Sequence, residues 1–403
     1  MDVAKPQVKS CKTSEYFRYV HKYLYLVGWP NYWNNDFDLP TVIIKYHDTA
    51  SKILNAACLF FVAFELIGFI TQNNLSEKQQ TDRQLFGFSH PFLGSFGIIL
   101  AFHQEKISAL TNTMVIELKK HYNNPDMEMQ MIKKSRRHSM VYCFICSFAL
   151  ISYGLDGLMQ CLYDKDGTFV TVITAWPDVN DVSTAASYFR VFAYIMWWIF
   201  MFRVSGVYVM LISTLVCLGH QYKNLQSYFY NLNNIFEIAE LTLRQKEEKY
   251  ENGLKLGINM HARTLWCTRE CEASFMWVLS GQILVNVTVI ILLMAQMLSS
   301  ERTFGSVSAI VSTMTAMLIS TGFFMWNAGD VTVEAAALST AMFNSGWQNC
   351  QGDSTVRVRK LLVIAMTQAQ VPVSIRALGI VALSYQSYVS IVKSSYSVFS
   401  VLY

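Results

Sequence analysis

Aromatic and small side chains recur at helical spacing in four apolar stretches of this 403-residue sequence. Phe88, Phe92 and Phe96 are four residues apart, so they share one face if the stretch is helical. Gly154 lacks a side chain beside Tyr153, which predicts room for a ligand between helices. An apolar, aromatic surface with a few hydroxyl groups is typical of pockets for small organic molecules, although ordinary helix packing is the alternative for each residue taken singly. The predicted pocket residues are Phe88, Phe92, Tyr153, Gly154, Leu158, Tyr194, Trp198, Met201 and Ser312.

The residue types that carry catalysis do not form a recognisable group. The sequence has no Gly-rich phosphate loop, no His-x-x-x-His motif, and no Ser or Cys placed near both a base and an orienting acid. Cys143 and Cys146 lie one helical turn apart in an apolar run, which favours packing over metal binding. We therefore predict that the protein is not an enzyme and uses no cofactor and no metal. The net charge of +4 is too small to indicate nucleic-acid binding.

The composition indicates that these residues lie in a membrane. The chain is 53% hydrophobic and only 15% charged, whereas soluble domains have about 25% charged residues. Apolar runs long enough to cross a bilayer predict an all-α protein with seven transmembrane helices. The predicted segments are roughly 53–71, 89–118, 139–163, 188–219, 273–298, 304–327 and 372–402.

Basic residues are distributed unequally over the connecting segments. One set of connections (1–52, 119–138, 220–272 and 346–371) contains 23 Lys and Arg residues, and the opposite set contains four. The positive-inside rule then places the N-terminus in the cytoplasm and the C-terminus outside, the reverse of a G-protein-coupled receptor. The sequon Asn74-Leu75-Ser76 would lie outside, which predicts a glycan at Asn74.

This topology divides the chain into membrane and cytoplasmic parts. Charged helical patterns in three connections predict a cytoplasmic helical bundle. The predicted parts are a cytoplasmic N-terminal segment (1–52), helices 1–4 with ligand binding in their outer half (53–219), a cytoplasmic helical region (220–272), helices 5 and 6 (273–327), a cytoplasmic assembly region (328–371) and a pore-lining helix 7 (372–403).

Ionisable residues inside the apolar segments need partners, because an unpaired charge in a bilayer is costly. Glu65 and Asp156 fall in the outer halves of their predicted helices, where Lys393 is expected to neutralise one of them. Arg203 lies within the fourth apolar segment.

The last stretch is apolar yet unusually rich in hydroxyl groups. Pro372 cannot donate a backbone hydrogen bond and restricts Val371 to extended conformations, so a helix over about 355–370 should end there and a spanning helix begin. Along that last helix Ser395, Phe399, Leu402 and Tyr403 recur at helical spacing and are predicted to share one stripe.

Two C-terminal motifs carry a resemblance to a known family. The first runs from Phe323-Phe-Met-Trp-Asn-Ala-Gly through Glu334 to the Ala341–Trp347 segment, and the second is Lys393-Ser-Ser-Tyr-Ser-Val-Phe-Ser-Val-Leu402. With its length, helix count and inverted topology, the chain resembles the insect odorant receptor family. It lacks the long insertion in the second cytoplasmic loop that marks the shared co-receptor, and so it looks like a ligand-tuned subunit.

The resemblance implies a function and a place for each group of residues. It implies an odorant-gated, non-selective cation channel in the plasma membrane of sensory neurons, assembled as a tetramer with co-receptor subunits and binding small volatile organic molecules. The last helix would line the pore, with a gate that involves Ser395, Phe399, Leu402 and Tyr403. Gly329, Glu334 and Trp347 would belong to the assembly region.

Two other functions remain open at this point. The first is a seven-helix chemoreceptor that signals through cytoplasmic partners, although no Asp-Arg-Tyr or Asn-Pro-x-x-Tyr motif is present. The second is a gustatory-type receptor channel, although the related gustatory receptors end in a Thr–Tyr…Gln–Phe pattern that this chain does not match.

Overall fold

A computed structural model of the chain describes residues 11–33, 37–163, 167–299, 303–352 and 354–402, without the side chains of residues 299 and 402. The described chain is almost entirely helical. Its longer elements are α1 (Lys12–Leu26), α2 (Thr41–Thr71), α3 (Glu77–Phe102), α4 (Gln104–Asn112), α5 (Leu118–His121), α6 (Pro125–Tyr163), α7 (Thr184–Leu232), α8 (Leu243–Ser299), α9 (Phe304–Phe343), α10 (Thr355–Ala369) and α11 (Tyr385–Leu402). A π-helical turn (Thr113–Glu117), two 3₁₀ turns (Asn233–Glu237 and Trp347–Asn349) and a two-stranded hairpin (β1, Arg376–Ala377; β2, Val381–Ala382) complete it.

Six of these helices are long and apolar enough to cross a membrane: α2, α3, α6, α7, α8 and α9. Five of them contain one of the predicted apolar segments entire, and α3 contains the first part of the second segment. We call the end of the bundle at which α2, α6 and α8 finish and α3, α7 and α9 begin the upper end. The opposite end, where α1 and α10 lie against the long helices, is the lower end.

The second helix differs from its prediction at both ends. It begins at Glu77, well before residue 89, because Ser76 and Gln79 form a capping box in which each side chain bonds the other's backbone N–H. It ends at Phe102, and the chain continues past His103 as α4, a π-helical turn and α5. The predicted single helix to residue 118 is therefore wrong.

The lower end is built from continuations of the spanning helices. α7 runs unbroken to Leu232 and α8 starts at Leu243, so the 220–272 region is continuous with its membrane helices. α1 packs across α7 and α6, and the Tyr16 hydroxyl lies 2.8 Å from the Ser135 hydroxyl and 3.0 Å from that of Ser213. Burial lowers the pKa of His21 in α1 to about 4, so its ring packs as a neutral group.

The predicted last helix is shorter than its apolar run. α10 ends at Ala369, close to the boundary expected before Pro372, but α11 begins only at Tyr385. Between them β1 and β2 pair antiparallel, and Leu378 and Gly379 turn the chain with φ values of 55° and 70°. The Leu378 amide donates to the Ser280 hydroxyl of α8 at 2.8 Å, which fixes the hairpin against the bundle.

Candidate functional site

Four aromatic rings from three helices meet near the upper end of the bundle. Phe86 of α3 lies 5.3 Å from the Tyr153 ring and 4.8 Å from the Trp197 ring, in edge-to-face contacts. Tyr153 and Trp197 are 5.4 Å apart, and Tyr194 lies 6.3 Å from Trp197. We call Phe86, Tyr153, Tyr194 and Trp197 the upper aromatic cluster. Each such contact stabilises the fold by about 0.5–1.5 kcal/mol beyond the burial of apolar area, so the four rings hold one another in fixed positions.

Gly154 allows a tyrosine to reach α6. The Tyr194 hydroxyl occupies the position that a β-carbon at residue 154 would take, and it donates to the Leu150 carbonyl at 2.9 Å. The predicted open space at Gly154 is therefore filled by the chain's own Tyr194. The glycine sets the position of a ring in the cluster.

Polar groups lie directly above the cluster. The Asp82 carboxylate accepts from the Gln296 amide at 2.9 Å and from the Tyr153 hydroxyl at 3.5 Å. One turn further up, Lys78 forms an ion pair with the buried Asp156. This corrects the prediction that Lys393 would neutralise Glu65 or Asp156, because Lys393 lies exposed on α11.

A second buried pair lies below the cluster. The His90 Nδ1 atom is 2.8 Å from a Glu65 oxygen, and both side chains are 2% exposed. The Trp197 indole N–H can only donate, and it donates to His90 Nε2 at 3.1 Å. His90 therefore holds no proton on Nε2 and links α2, α3 and α7 through two hydrogen bonds.

The other predicted pocket residues lie at different depths. The rings of Phe88 and Phe92 are 5.1 Å apart and half-buried, and Trp198 and Met201 are also half-buried against the core. Ser312 is buried, and its hydroxyl donates to the Ala309 carbonyl at 3.0 Å. Leu158 is 46% exposed, so within this chain it faces outward from the bundle rather than into a pocket.

Sequence reasoning missed several residues that complete this region: Asp82, Phe86, His90 and Gln296. Phe86 and His90 continue the four-residue spacing on another face of α3, a signal that was available. Asp82 lies in what was taken for an external loop, and its pairing with Gln296 depends on helix packing. Among the described residues, no cluster of His, Cys, Asp and Glu is arranged to hold a metal ion.

The predicted assembly residues lie in the lower half of the bundle. Gly329 is buried, and a β-carbon there would lie 3.3 Å from the Tyr385 ring at the start of α11. The neighbouring Asp330 accepts from the Tyr385 hydroxyl and pairs with Lys134, which joins α6, α9 and α11. Glu334 accepts from the Gln226 amide at 2.9 Å, and the Trp347 indole N–H donates to the Phe343 carbonyl at 2.9 Å.

The last helix has a packed face and an open face. Tyr388 and Ile391 pack on the core, and Ser395 follows on the same face, fully buried, with its hydroxyl bonded to the Ile391 carbonyl at 3.0 Å. Ser395 is therefore buried within its own chain, whereas the prediction from spacing places it on a stripe that lines a path between chains. Phe399, four residues on, is half-buried. The Leu402 side chain and Tyr403 lie outside the described residues.

The open face of α11 carries a line of small hydroxyl side chains. Ser390, Ser394, Ser397 and Val401 are all exposed and recur at helical spacing. The hydroxyls therefore form one stripe that faces away from α8 and α9.

Comparison with solved structures shows the same fold. The chain is similar to the insect olfactory receptor OR5 from Machilis hrabei, in its structure alone and in its structure in complex with eugenol, with a TM-score of 0.78 in both cases. The identity is 12%, and the match covers 96% of this chain and 97% of the other. No curated protein sequence matches this chain significantly.

The family model described as "7tm Odorant receptor" matches residues 97–396. That range contains α6 to α10 entire and most of α11, and it includes the whole first motif that carried the resemblance and the first four residues of the second. The prediction of the family is confirmed, and with it a seven-helix, multi-pass membrane receptor of sensory neurons that is not an enzyme. The chain belongs to the 7tm odorant receptor family.

Proposed function

We propose that this chain is a ligand-tuned subunit of a cation channel that a small organic molecule opens. The observation that carries the proposal is the upper aromatic cluster, whose rings come from three helices and lie beneath a buried polar group. Apolar walls with few polar groups suit recognition by shape and dispersion. The related OR5 from Machilis hrabei was solved in complex with eugenol, which supports a ligand of similar size and character for this fold.

In this proposal the ligand contacts the faces of α3, α6, α7 and α9 around the cluster. Phe88, Phe92, Tyr153, Trp198, Met201 and Ser312 are the predicted contacts, and Tyr194 is set by Gly154. We add three residues that contact Tyr153. Phe86 and Trp197 pack against its ring, and Asp82 accepts a hydrogen bond from its hydroxyl.

A substitution at Gly154 tests the site. We expect Gly154→Leu to displace Tyr194 and break its hydrogen bond to Leu150, because the new side chain and the ring need the same space. Loss of one hydrogen bond is worth about 1 kcal/mol, so half-maximal concentrations for a panel of volatile phenols, esters and ketones should shift about fivefold or change their order. Currents in cells that also express a co-receptor subunit are the measurement.

Leu158→Phe is the matched control, on the same helix but on its exposed side. It should leave the order of the odorants unchanged. Unaltered responses in Gly154→Leu at normal surface abundance would move the odorant site away from this cluster.

The pore would be lined by the open face of α11, with Ser390, Ser394, Ser397 and Val401 toward the axis. Co-receptor subunits would provide the other helices of a tetramer. Phe399 would support the helix from its packed side, and Val401 would narrow the hydroxyl path near its end, where apolar constrictions gate by dewetting.

Orientation is a separate prediction. We expect the upper end to face outside, because the connections at the lower end carry 23 basic residues and those at the upper end carry four. An epitope tag after Tyr403 should stain intact cells, and a tag at residue 240 only permeabilised ones. Staining of the 240 tag in intact cells would show the opposite orientation.

The glycan at Asn74 is tested separately. Asn74 is exposed between α2 and α3, so Asn74→Gln should abolish a glycosidase-sensitive shift in the gel mobility of the protein.

A further inference from the structure

A cavity lies between α2, α3 and α7, and His90, which bonds Trp197 of the upper aromatic cluster, is among its lining residues. Its volume is about 190 Å³, more than ten times the roughly 10–15 Å³ that one water molecule needs. Most of its lining is apolar, including Leu59, Val62, Leu93, Ile98 and Phe200. Leu59 is 58% exposed, so the cavity opens sideways toward the bilayer rather than toward either end.

A buried arginine lines this apolar cavity. Arg203 is 3% exposed and lies near the middle of α7. Its Nη2 atom donates to the Asn55 side chain, and its guanidinium lies over the Trp29 ring at 4.3 Å. The Trp29 indole N–H in turn donates to the Arg203 carbonyl at 3.0 Å. These contacts fix the guanidinium in place.

The charge of Arg203 has no carboxylate partner within the described part of the chain. None of the ion pairs there includes it, and its Nη1 atom is buried without a hydrogen-bond acceptor. The Glu65 carboxylate of α2 is already paired with His90. A buried cation in a membrane is costly unless an anion or acceptor satisfies it.

The chain backbone lies close to this guanidinium because residue 28 is a glycine. Gly28 has a φ of 87°, and a β-carbon there would lie 2.7 Å from Nη1. Two other polar groups that line the cavity are already used: His90 bonds through both ring nitrogens, and the Ser95 hydroxyl donates to the Phe92 carbonyl at 2.7 Å. Arg203 is the cation among the lining residues, and its Nη1 atom lacks an acceptor within the described part of the chain.

We infer that this cavity binds a small amphiphile whose carboxylate accepts from Arg203 Nη1 and whose alkyl chain lies along Leu59, Val62 and Phe200. A medium-chain carboxylic acid has this chemistry. It has two sources, a fatty acid of the bilayer or an acidic compound that arrives from outside. Both kinds of acid can enter the cavity from the bilayer, because both partition into the membrane first.

Direct binding tests the site without any measurement of current. The full chain in phosphatidylcholine nanodiscs is titrated with radiolabelled octanoic acid, and with 1-octanol and methyl octanoate as neutral competitors. We expect octanoate to bind saturably and Arg203→Gln to weaken binding at least tenfold, as expected for a charged hydrogen bond. The two neutral competitors should displace it at least tenfold less well.

A second variant keeps the test independent of the arginine's role in folding. Val62→Phe fills the cavity and leaves Arg203 intact, and it should also weaken octanoate binding at least tenfold. Val191→Phe adds the same ring to an exposed face of α7 outside the cavity and should bind as the unmodified chain does. Unchanged affinity in both Arg203→Gln and Val62→Phe, or equal competition by octanol, would overturn the proposal.

Mass spectrometry of small molecules that co-purify with the chain distinguishes the sources. A fatty acid retained by the unmodified chain and by Val191→Phe, but lost in Val62→Phe, supports supply by the bilayer. Saturable binding of added octanoate to a chain that retains no fatty acid supports an acid from outside. Because binding is the readout, this result stands even if the chain proves not to be a channel subunit.

Discussion

Glu65→Leu is expected to destabilise the receptor by on the order of 2 kcal/mol, because it removes the carboxylate that accepts from the buried His90 Nδ1–H group and leaves that donor unpaired. His90 also accepts from the Trp197 indole, so its ring cannot turn away without losing that second bond. A lower melting temperature of the purified protein and a smaller surface population in cells are the expected observations.

Glu65→Gln is the matched control. Glutamine has nearly the same shape and can still hydrogen-bond His90 Nδ1, so most of the stability should remain. If both the Leu and the Gln variant had the melting temperature of the unmodified chain, the Glu65–His90 pair would have no structural role.

Charges on the open face of α11 should change ion permeation strongly. Ser397 lies in the exposed hydroxyl stripe, and rings of charged side chains set the selectivity of many channels. One unit charge about 4 Å from a passing ion is worth about 4 kcal/mol at an effective dielectric constant of 20. We therefore expect Ser397→Lys to reduce cation current on the order of tenfold or more, whereas Ser397→Glu should retain or increase the preference for cations.

Cysteine accessibility separates the two faces of the helix. Ser397→Cys should react with a water-soluble thiol reagent, and faster when an activating odorant is present. Ser395→Cys should react slowly in both conditions, because residue 395 is fully buried within the chain. Rapid reaction at 395 with none at 397 would return the pore to the stripe predicted from the sequence.

The apolar runs predicted the membrane helices well, because the cost of burying polar groups in lipid constrains sequence strongly. They did not predict element boundaries that depend on local polar chemistry. The Ser76–Gln79 capping box starts α3 within polar residues, and the turn at Leu378 and Gly379 removes part of the last apolar run from α11. Gly379 was the available signal for that turn.

The candidate site was predicted only in outline. Spacing identified the helices and several of their rings, but the space at Gly154 was assigned to a ligand, whereas Tyr194 of the next helix, α7, fills it. The partners of Asp156 and Glu65 are Lys78 and His90, and those pairs are fixed by how helices rotate against each other. A single sequence carries no record of that rotation.

If α11 lines the pore as proposed, its length should make the receptor sensitive to the thickness of the membrane around it. At about 1.5 Å per residue, its 18 residues span roughly 27 Å, slightly less than the ~30 Å hydrocarbon core. The 49-residue α7 is longer than the hydrocarbon core requires and can adapt to a change in bilayer thickness by tilting. The described part of α11 is shorter than the hydrocarbon core, and its first residue, Tyr385, donates to Asp330. We therefore expect lipids with longer acyl chains to strain this helix before the longer ones, so that the proposed channel opens at different ligand concentrations in thin and thick bilayers.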